Sequence, residues 1–151
     1  LGQAAADRLP EELGQTLRAE LRQYGAPVHI IRTVPARMKY DREQIQVTAG
    51  ESIRLVFENN DTMPHNLVLV TIGSREEVGR AADEMATKPR AWEKGYVPET
   101  KKILQATRLL KPGESELLTF NVPDKPGKYE FVCTFPGHWR TMYGVFNVNP
   151  N

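Results

Sequence analysis

Short apolar stretches separated by polar turn residues recur along the chain after Pro27. Seven short stretches are rich in Val, Ile and Phe, with turn residues such as Asn59-Asn60-Asp61 between them. They are VHIIRTV at 28–34, QIQVTA at 44–49, SIRLVFEN at 52–59, NLVLVTI at 66–72, ESELLTFNV at 114–122, KYEFVC at 128–133 and YGVFNV at 143–148. Short strands with turns at this spacing predict an all-β domain, either an antiparallel sandwich or a barrel.

Two segments have a helical pattern instead. Leucines recur every fourth position from Leu9 to Leu21 with charged residues between them, which predicts an amphipathic helix closed by Gly25 and Pro27. We therefore expect an N-terminal helix or linker over 1–26 and one domain over 27–151. Residues 74–110 form an insertion in which helix formers favour a helix over 75–85, followed by an irregular stretch without strands, typical of a flap or functional loop.

Length and charge exclude several classes of function. With 151 residues the chain is long enough for a single core, and its net charge of +1 favours neither nucleic acid nor an anionic membrane as partner. No apolar run approaches the roughly 18 residues of a membrane span.

A start on Leu1 rather than Met suggests a processed chain or a piece of a longer polypeptide, which leaves attachment to further domains open.

Candidate chemistry is concentrated in CTFPGHWRTM, residues 133–142, which contains the single cysteine of the chain. If KYEFVC and YGVFNV are adjacent strands, Cys133 ends the first and Met142 precedes the second. Pro136-Gly137 can bend the loop between them so that His138 turns back towards the sulfur. His65 precedes another predicted strand and could reach the same end of the sandwich.

Two imidazoles, a thiolate and a thioether are the donor set of a blue copper site, with an equatorial His₂Cys plane and a weak axial Met. Zinc accepts thiolate and imidazole, but a methionine is a poor zinc ligand. Two other interpretations compete. Cys133 alone would be an ordinary buried apolar residue, and a Cys133 nucleophile with His138 as base would need an orienting Asn or Asp and leaves Met142 without a role.

The loop CTFPGHWRTM and the motif PHNLVLV resemble the copper-binding segments of the cupredoxin family, the type 1 blue copper proteins that include azurin and plastocyanin. The resemblance implies a Greek-key β-sandwich of about seven to eight strands. It implies one copper ion per chain, with His65, Cys133 and His138 as equatorial ligands and Met142 as axial ligand. It also implies that Asn66 ties the His65 loop to the cysteine loop by hydrogen bonds, with Thr134 as its partner.

The same resemblance implies single-electron transport without substrate turnover, in the periplasm or outside the cell. Redox partners would dock transiently on a surface around His138 that includes Phe135, Pro136 and Trp139; ordinary core filling is the other interpretation of these side chains. Two further functions stay open at this point. The chain could be a copper trafficking or storage module without redox turnover, or the domain through which electrons enter a larger oxidoreductase.

Overall fold

Two β-sheets packed face to face form the body of residues 27–151, the part of the chain that this computed structural model describes. The N-terminal helix predicted over 1–26 lies outside the described residues. Nine strands run in chain order through the described part: β1 (Val28–Val34), β2 (Lys39–Tyr40), β3 (Gln44–Thr48), β4 (Ser52–Glu58), β5 (Val68–Val70), β6 (Ile103–Ala106), β7 (Ser115–Asn121), β8 (Gly127–Val132) and β9 (Tyr143–Asn149).

One sheet has the strand order β2-β1-β4-β7 and the other has the order β3-β9-β8-β5-β6. All seven predicted strands are present, and the predicted β-sandwich is confirmed. The expectation of a purely antiparallel arrangement is wrong at two places, because β1 pairs with β4 and β3 pairs with β9 in parallel. The chain crosses from one sheet to the other between β2 and β3 and crosses back between β3 and β4. Strands β1 and β4 therefore lie in one sheet, and β3 and β9 lie in the other.

Strands β2 and β6 are absent from the sequence prediction. Strand β2 has only two residues, and β6 lies inside the insertion that was expected to contain no strand. All four residues of β6 are half-buried, so they do not alternate between a buried and an exposed face. Pairing with β5 at the sheet edge, across a register shift between Leu69 and Val70, makes this segment a strand.

The core lies between the inner faces of the two sheets. Alternate residues of β3, β4 and β9 are buried there, as the period of two requires. Tyr40 is inserted between the layers and meets Phe57 and Phe131 edge to face, with ring centroids 5.7 and 5.1 Å away. This geometry is favourable for aromatic pairs, and it closes the core below the end of the sandwich where β8 terminates.

Helix α1 (Arg75–Met85) confirms the helix predicted in the insertion. Its Val78 packs on the outer face of the five-stranded sheet with Val68, Val70 and Val132. A short 3-10 helix (Ala91–Lys94) follows, bounded by Arg90 and Gly95 in left-handed backbone conformations. Among residues 27–151, no helix has the length and apolar character needed to cross a bilayer.

Candidate metal centre

The structure brings His65, Cys133 and His138 together at one end of the sandwich. His65 lies just before β5, where its backbone exchanges two hydrogen bonds with that of Leu110, at 3.1 and 2.8 Å. Cys133 directly follows β8, and His138 begins a 3-10 turn (His138–Arg140) in the loop to β9. The ligand atoms of the three side chains all lie within 4.8 Å of one another, and all three residues are buried.

The spacing of these atoms fits a metal ion. Cys133 Sγ lies 3.8 Å from His65 Nδ1 and 3.7 Å from His138 Nδ1. A trigonal plane with bonds of about 2.0 Å to nitrogen and about 2.3 Å to sulfur would separate sulfur from nitrogen by about 3.7 Å. The donor set adds to the fit, because a thiolate with two imidazoles suits copper.

Backbone hydrogen bonds fold the loop that carries Cys133, His138 and Met142. His138 N donates to Phe135 O at 2.9 Å, Met142 N donates to His138 O at 2.8 Å, and Cys133 N donates to Met142 O at 3.0 Å. Gly137 has φ 81°, a conformation that glycine adopts without steric cost and that allows the chain to turn back at His138. Met142 is fully buried, and its two backbone hydrogen bonds place this residue beside Cys133 and His138.

Asn66 and Thr134 join the two loops that carry the donors. Asn66 Nδ2 donates to Thr134 Oγ1 at 2.8 Å, and Thr134 N donates to Asn66 Oδ1 at 2.8 Å. The Asn66 amide also donates to Gly95 O at 3.0 Å, and its backbone carbonyl accepts from Tyr40 Oη at 2.7 Å. Both side chains are completely buried, so these bonds fix the position of one loop relative to the other.

Asp61 is a contact of the site that the sequence prediction missed. Its Oδ2 lies 2.7 Å from His65 Nε2, and both side chains are buried. Its Oδ1 accepts hydrogen bonds from the backbone N–H groups of Ala36 at 3.0 Å and Thr62 at 2.8 Å. The bond from Ala36, with those from His65 and Thr62, lowers the pKa of Asp61 to about 2 against the effect of burial. A carboxylate four residues before the histidine was the available signal.

Burial is the main cause of the pKa shifts of two of the three donors, Cys133 and His138. It raises the pKa of the Cys133 thiol to about 12, against hydrogen bonds near the sulfur that lower it. Burial, followed by the neighbouring His65, lowers the pKa of His138 to about 4. In the metal-free protein at neutral pH the thiol is therefore protonated and His138 is neutral, and metal binding releases the thiol proton.

The predicted docking surface divides into two parts. Phe135 and Pro136 are half-buried next to His138, and the Phe135 ring centroid lies 4.9 Å from that of His138. Trp139, in contrast, is only 5% exposed and packs beneath helix α1, where a Cβ atom on Gly79 would overlap its indole ring. This burial beneath the insertion favours core filling, the other interpretation of the Trp139 side chain, over a place on the docking surface.

Two charged residues of helix α1 hold the ligand loop from outside, and the sequence prediction did not identify either of them. Asp83 accepts hydrogen bonds from Gly137 N at 3.0 Å, Trp139 Nε1 at 2.8 Å and Arg140 Nη1 at 3.3 Å. Burial alone would raise the pKa of Asp83, but these bonds outweigh it and lower the pKa. Arg75 donates to Trp139 O at 2.9 Å from the other end of the helix. No local sequence pattern predicts contacts between residues so far apart in the chain.

Comparison with known proteins places this site in a family. A family model described as copper-binding proteins of the plastocyanin/azurin family matches residues 30–149. Auracyanin-A of Chloroflexus aurantiacus is 32% identical over 114 residues, which cover 74% of this chain and 68% of the relative. Azurin of Pseudomonas fluorescens biotype C is 37% identical over 121 residues, covering 74% of this chain and 91% of the relative.

Solved structures agree with the sequence relatives. The crystal structure of dithionite-reduced auracyanin from Roseiflexus castenholzii superposes with a TM-score of 0.72 at 31% identity, covering 83% of this chain and 98% of the other. The chain spans only 51% of the length of auracyanin-B from Chloroflexus aurantiacus. With the His65, Cys133 and His138 cluster already established, the chain belongs to the plastocyanin/azurin family of copper-binding proteins and is a blue copper electron carrier rather than an enzyme.

Proposed function

We propose that His65 Nδ1, Cys133 Sγ and His138 Nδ1 would hold one copper ion, with the Met142 thioether as a weak further ligand. The observation that carries this assignment is the near-equal separation of the sulfur from the two nitrogens, 3.8 and 3.7 Å. In both imidazoles the nitrogen nearest the sulfur is Nδ1. We assign Met142 as a ligand because it is completely buried and because its backbone hydrogen-bonds to those of Cys133 and His138.

Copper bound there supplies a one-electron couple between Cu(I) and Cu(II). The residues of this chain keep the donors in place during the change of charge. Asn66 and Thr134 hold the two loops together, and Asp83 holds the His138 turn from outside. Because the four donors are buried and their supports are hydrogen-bonded, the residues would rearrange little on a change of metal charge, which would favour fast electron transfer.

Electrons enter and leave at the edge of His138. It is the only one of the four donor residues with any exposed surface, 3%, whereas His65, Cys133 and Met142 have none. Half-buried Phe135 and Pro136 border it, and Tyr96 from the insertion meets Phe135 edge to face at 5.4 Å. We call Tyr96, Phe135 and Pro136 the apolar rim. A small apolar surface suits the weak, transient encounters of redox proteins.

The partner is a redox protein that docks on the apolar rim, and the setting is the periplasm or the cell exterior. Kinship with azurin and the auracyanins supports both statements. The near-neutral charge of the whole chain, +1, gives no strong long-range attraction to a partner of either sign. Recognition would therefore depend on contact at the rim.

Voltammetry of the copper-loaded chain tests electron carriage directly. We expect one reversible one-electron wave, absent from the Cys133→Ser variant under the same copper loading. A protein that binds copper without a reversible wave would instead be a storage or trafficking module.

The route through the apolar rim has its own test. Pro136→Lys should slow electron self-exchange between two copies at least tenfold while the visible spectrum stays unchanged. Ile72→Lys is the matched control, since Ile72 is 42% exposed and its side chain fills the space where a side chain on Gly127 would lie, at the opposite end of β8. Equal slowing in both variants would contradict the assigned route.

A further inference from the structure

His65 has a buried carboxylate, that of Asp61, as its hydrogen-bond partner. A buried carboxylate lies 2.7 Å from the imidazole nitrogen that faces away from Cys133. Asp61 is 5% exposed and His65 is fully buried, so water screens the pair only weakly. We propose that Asp61 is a positioning residue that fixes the orientation and tautomer of His65 and lowers the reduction potential of the site. This inference rests on the proposed ligation of copper by His65 Nδ1.

The hydrogen bonds of Asp61 fix its own position first. One carboxylate oxygen accepts from the backbone N–H groups of Ala36 and Thr62, and Asp61 N donates to Asn59 Oδ1 at 3.0 Å. Asn59 is itself buried, and its amide donates to Leu110 O at 2.8 Å. Because the carboxylate is anchored to the turn after β1 and to its own loop, Oδ2 presents a fixed acceptor to His65.

A fixed, ionised acceptor determines which nitrogen of His65 carries the proton. Both oxygens of an ionised carboxylate can only accept, so Nε2 must be the donor in the 2.7 Å bond. The proton on Nε2 leaves the lone pair of Nδ1 free, and Nδ1 is the nitrogen that lies 3.8 Å from Cys133 Sγ. Ligand histidines commonly donate their second N–H to a carboxylate or carbonyl, and a carboxylate makes the imidazole a stronger electron donor.

The negative charge of Asp61 lowers the reduction potential, as its hydrogen bond to His65 does. The Cys133 thiolate and the Asp61 carboxylate together carry two negative charges, which balance a divalent cation. Uptake of one electron leaves the buried group with a net negative charge, and burial of an unbalanced charge is costly. Both effects favour the oxidised form, so removal of the carboxylate charge should raise the reduction potential.

The variant Asp61→Asn tests this with Asp41→Asn as control. Asp41 is an exposed aspartate after β2 whose Oδ1 accepts from Arg32 N at 2.8 Å, so both variants lose one charge and one carboxylate acceptor. We expect Asp61→Asn to remain blue and to shift the one-electron equilibrium at least tenfold towards the reduced form, a rise of 59 mV or more. Asp41→Asn should shift it less than twofold. Equal shifts in the two variants would overturn the proposal.

A measurement on the unmodified protein covers the case in which Asp61→Asn fails to fold, since an amide cannot accept at both of its ends. In NMR spectra of the Cu(I)-loaded chain, we expect the His65 Nε2 proton to be shifted downfield and protected from solvent exchange. A rapidly exchanging Nε2 proton, or a proton on Nδ1, would overturn the proposal. A parent chain that never turns blue would instead refute the copper assignment, so the two failures are distinguishable.

Discussion

Asn66 and Thr134 hydrogen-bond to each other twice, and these two bonds of 2.8 Å join the loop of His65 to the loop of Cys133. Both residues are completely buried, so neither can exchange its partner for water. The relative position of two donors from distant parts of the chain therefore depends on one amide side chain.

The variant Asn66→Ala should destabilise the metal-free protein by about 2 to 4 kcal/mol, because it leaves the Thr134 N–H and the Gly95 carbonyl buried without partners. Urea unfolding measures this change. Asn149→Ala is the control, since Asn149 is exposed and its amide bonds only to other surface side chains. The control should change the free energy of unfolding by less than about 0.5 kcal/mol. An equal loss in both variants would show that Asn66 does not join the loops.

Met142→Gln should keep the blue colour and lower the reduction potential. A harder axial oxygen donor favours Cu(II) over Cu(I), whereas the equatorial donors that give the colour are unaffected. Voltammetry and a visible spectrum measure the two properties on one sample. Met85→Gln, at the end of helix α1, should leave both unchanged. If Met142→Gln has the potential of the parent, Met142 is not the axial ligand.

The metal-free protein should lose stability as the pH falls from about 6.5 to about 4. Burial lowers the pKa of His138 to about 4 in the folded state, whereas the unfolded side chain titrates near its ordinary value of about 6.5. Between these values the unfolded state binds the extra proton, so acid favours unfolding, by on the order of 3 kcal/mol across the window. Thermal unfolding at a series of pH values measures the slope. The variant His138→Gln should flatten it, and an equally steep slope in that variant would contradict the assignment.

Gly79→Ala should destabilise the protein even though alanine favours helices. Gly79 is in the middle of α1, and a Cβ atom there would overlap the indole of Trp139. Overpacking costs about 1 to 3 kcal/mol, which exceeds the gain of up to about 1 kcal/mol in helix propensity. In a Trp139→Leu background, which makes room beside the helix, the same substitution should cost less. A stabilising Gly79→Ala in the parent chain would show that Trp139 does not pack closely beneath α1.

Local patterns in the sequence predicted most of the fold and the donors of the site. The seven predicted strands follow from short Val- and Ile-rich stretches between turn residues, and α1 follows from helix formers between Ser74 and Pro89. Cys133, His138 and Met142 lie in one ten-residue loop, so their spacing alone indicates a common centre. His65 required the additional inference that two strand ends meet at the same end of a sandwich.

The features that the sequence did not predict are those that depend on distant parts of the chain. Trp139 follows a predicted ligand, and its position in the sequence left both a docking surface and core filling open, because its burial depends on a glycine 60 positions earlier, Gly79. Asp61 reads as a turn residue after β4, and its bond to His65 depends on how the turn after β1 anchors the carboxylate. The parallel strand pairs likewise depend on which sheet each strand joins, not on its own pattern.

The visible absorption and EPR spectra of the copper-loaded chain, recorded beside those of Cys133→Ala, test the central assignment most directly. A thiolate bound to Cu(II) in a plane with two imidazoles gives an intense blue charge-transfer band and a small copper hyperfine splitting. We predict both for the parent and neither for Cys133→Ala. Weak colour with the large hyperfine splitting of ordinary Cu(II) in the parent, or a blue Cys133→Ala variant, would contradict the site built from His65, Cys133, His138 and Met142.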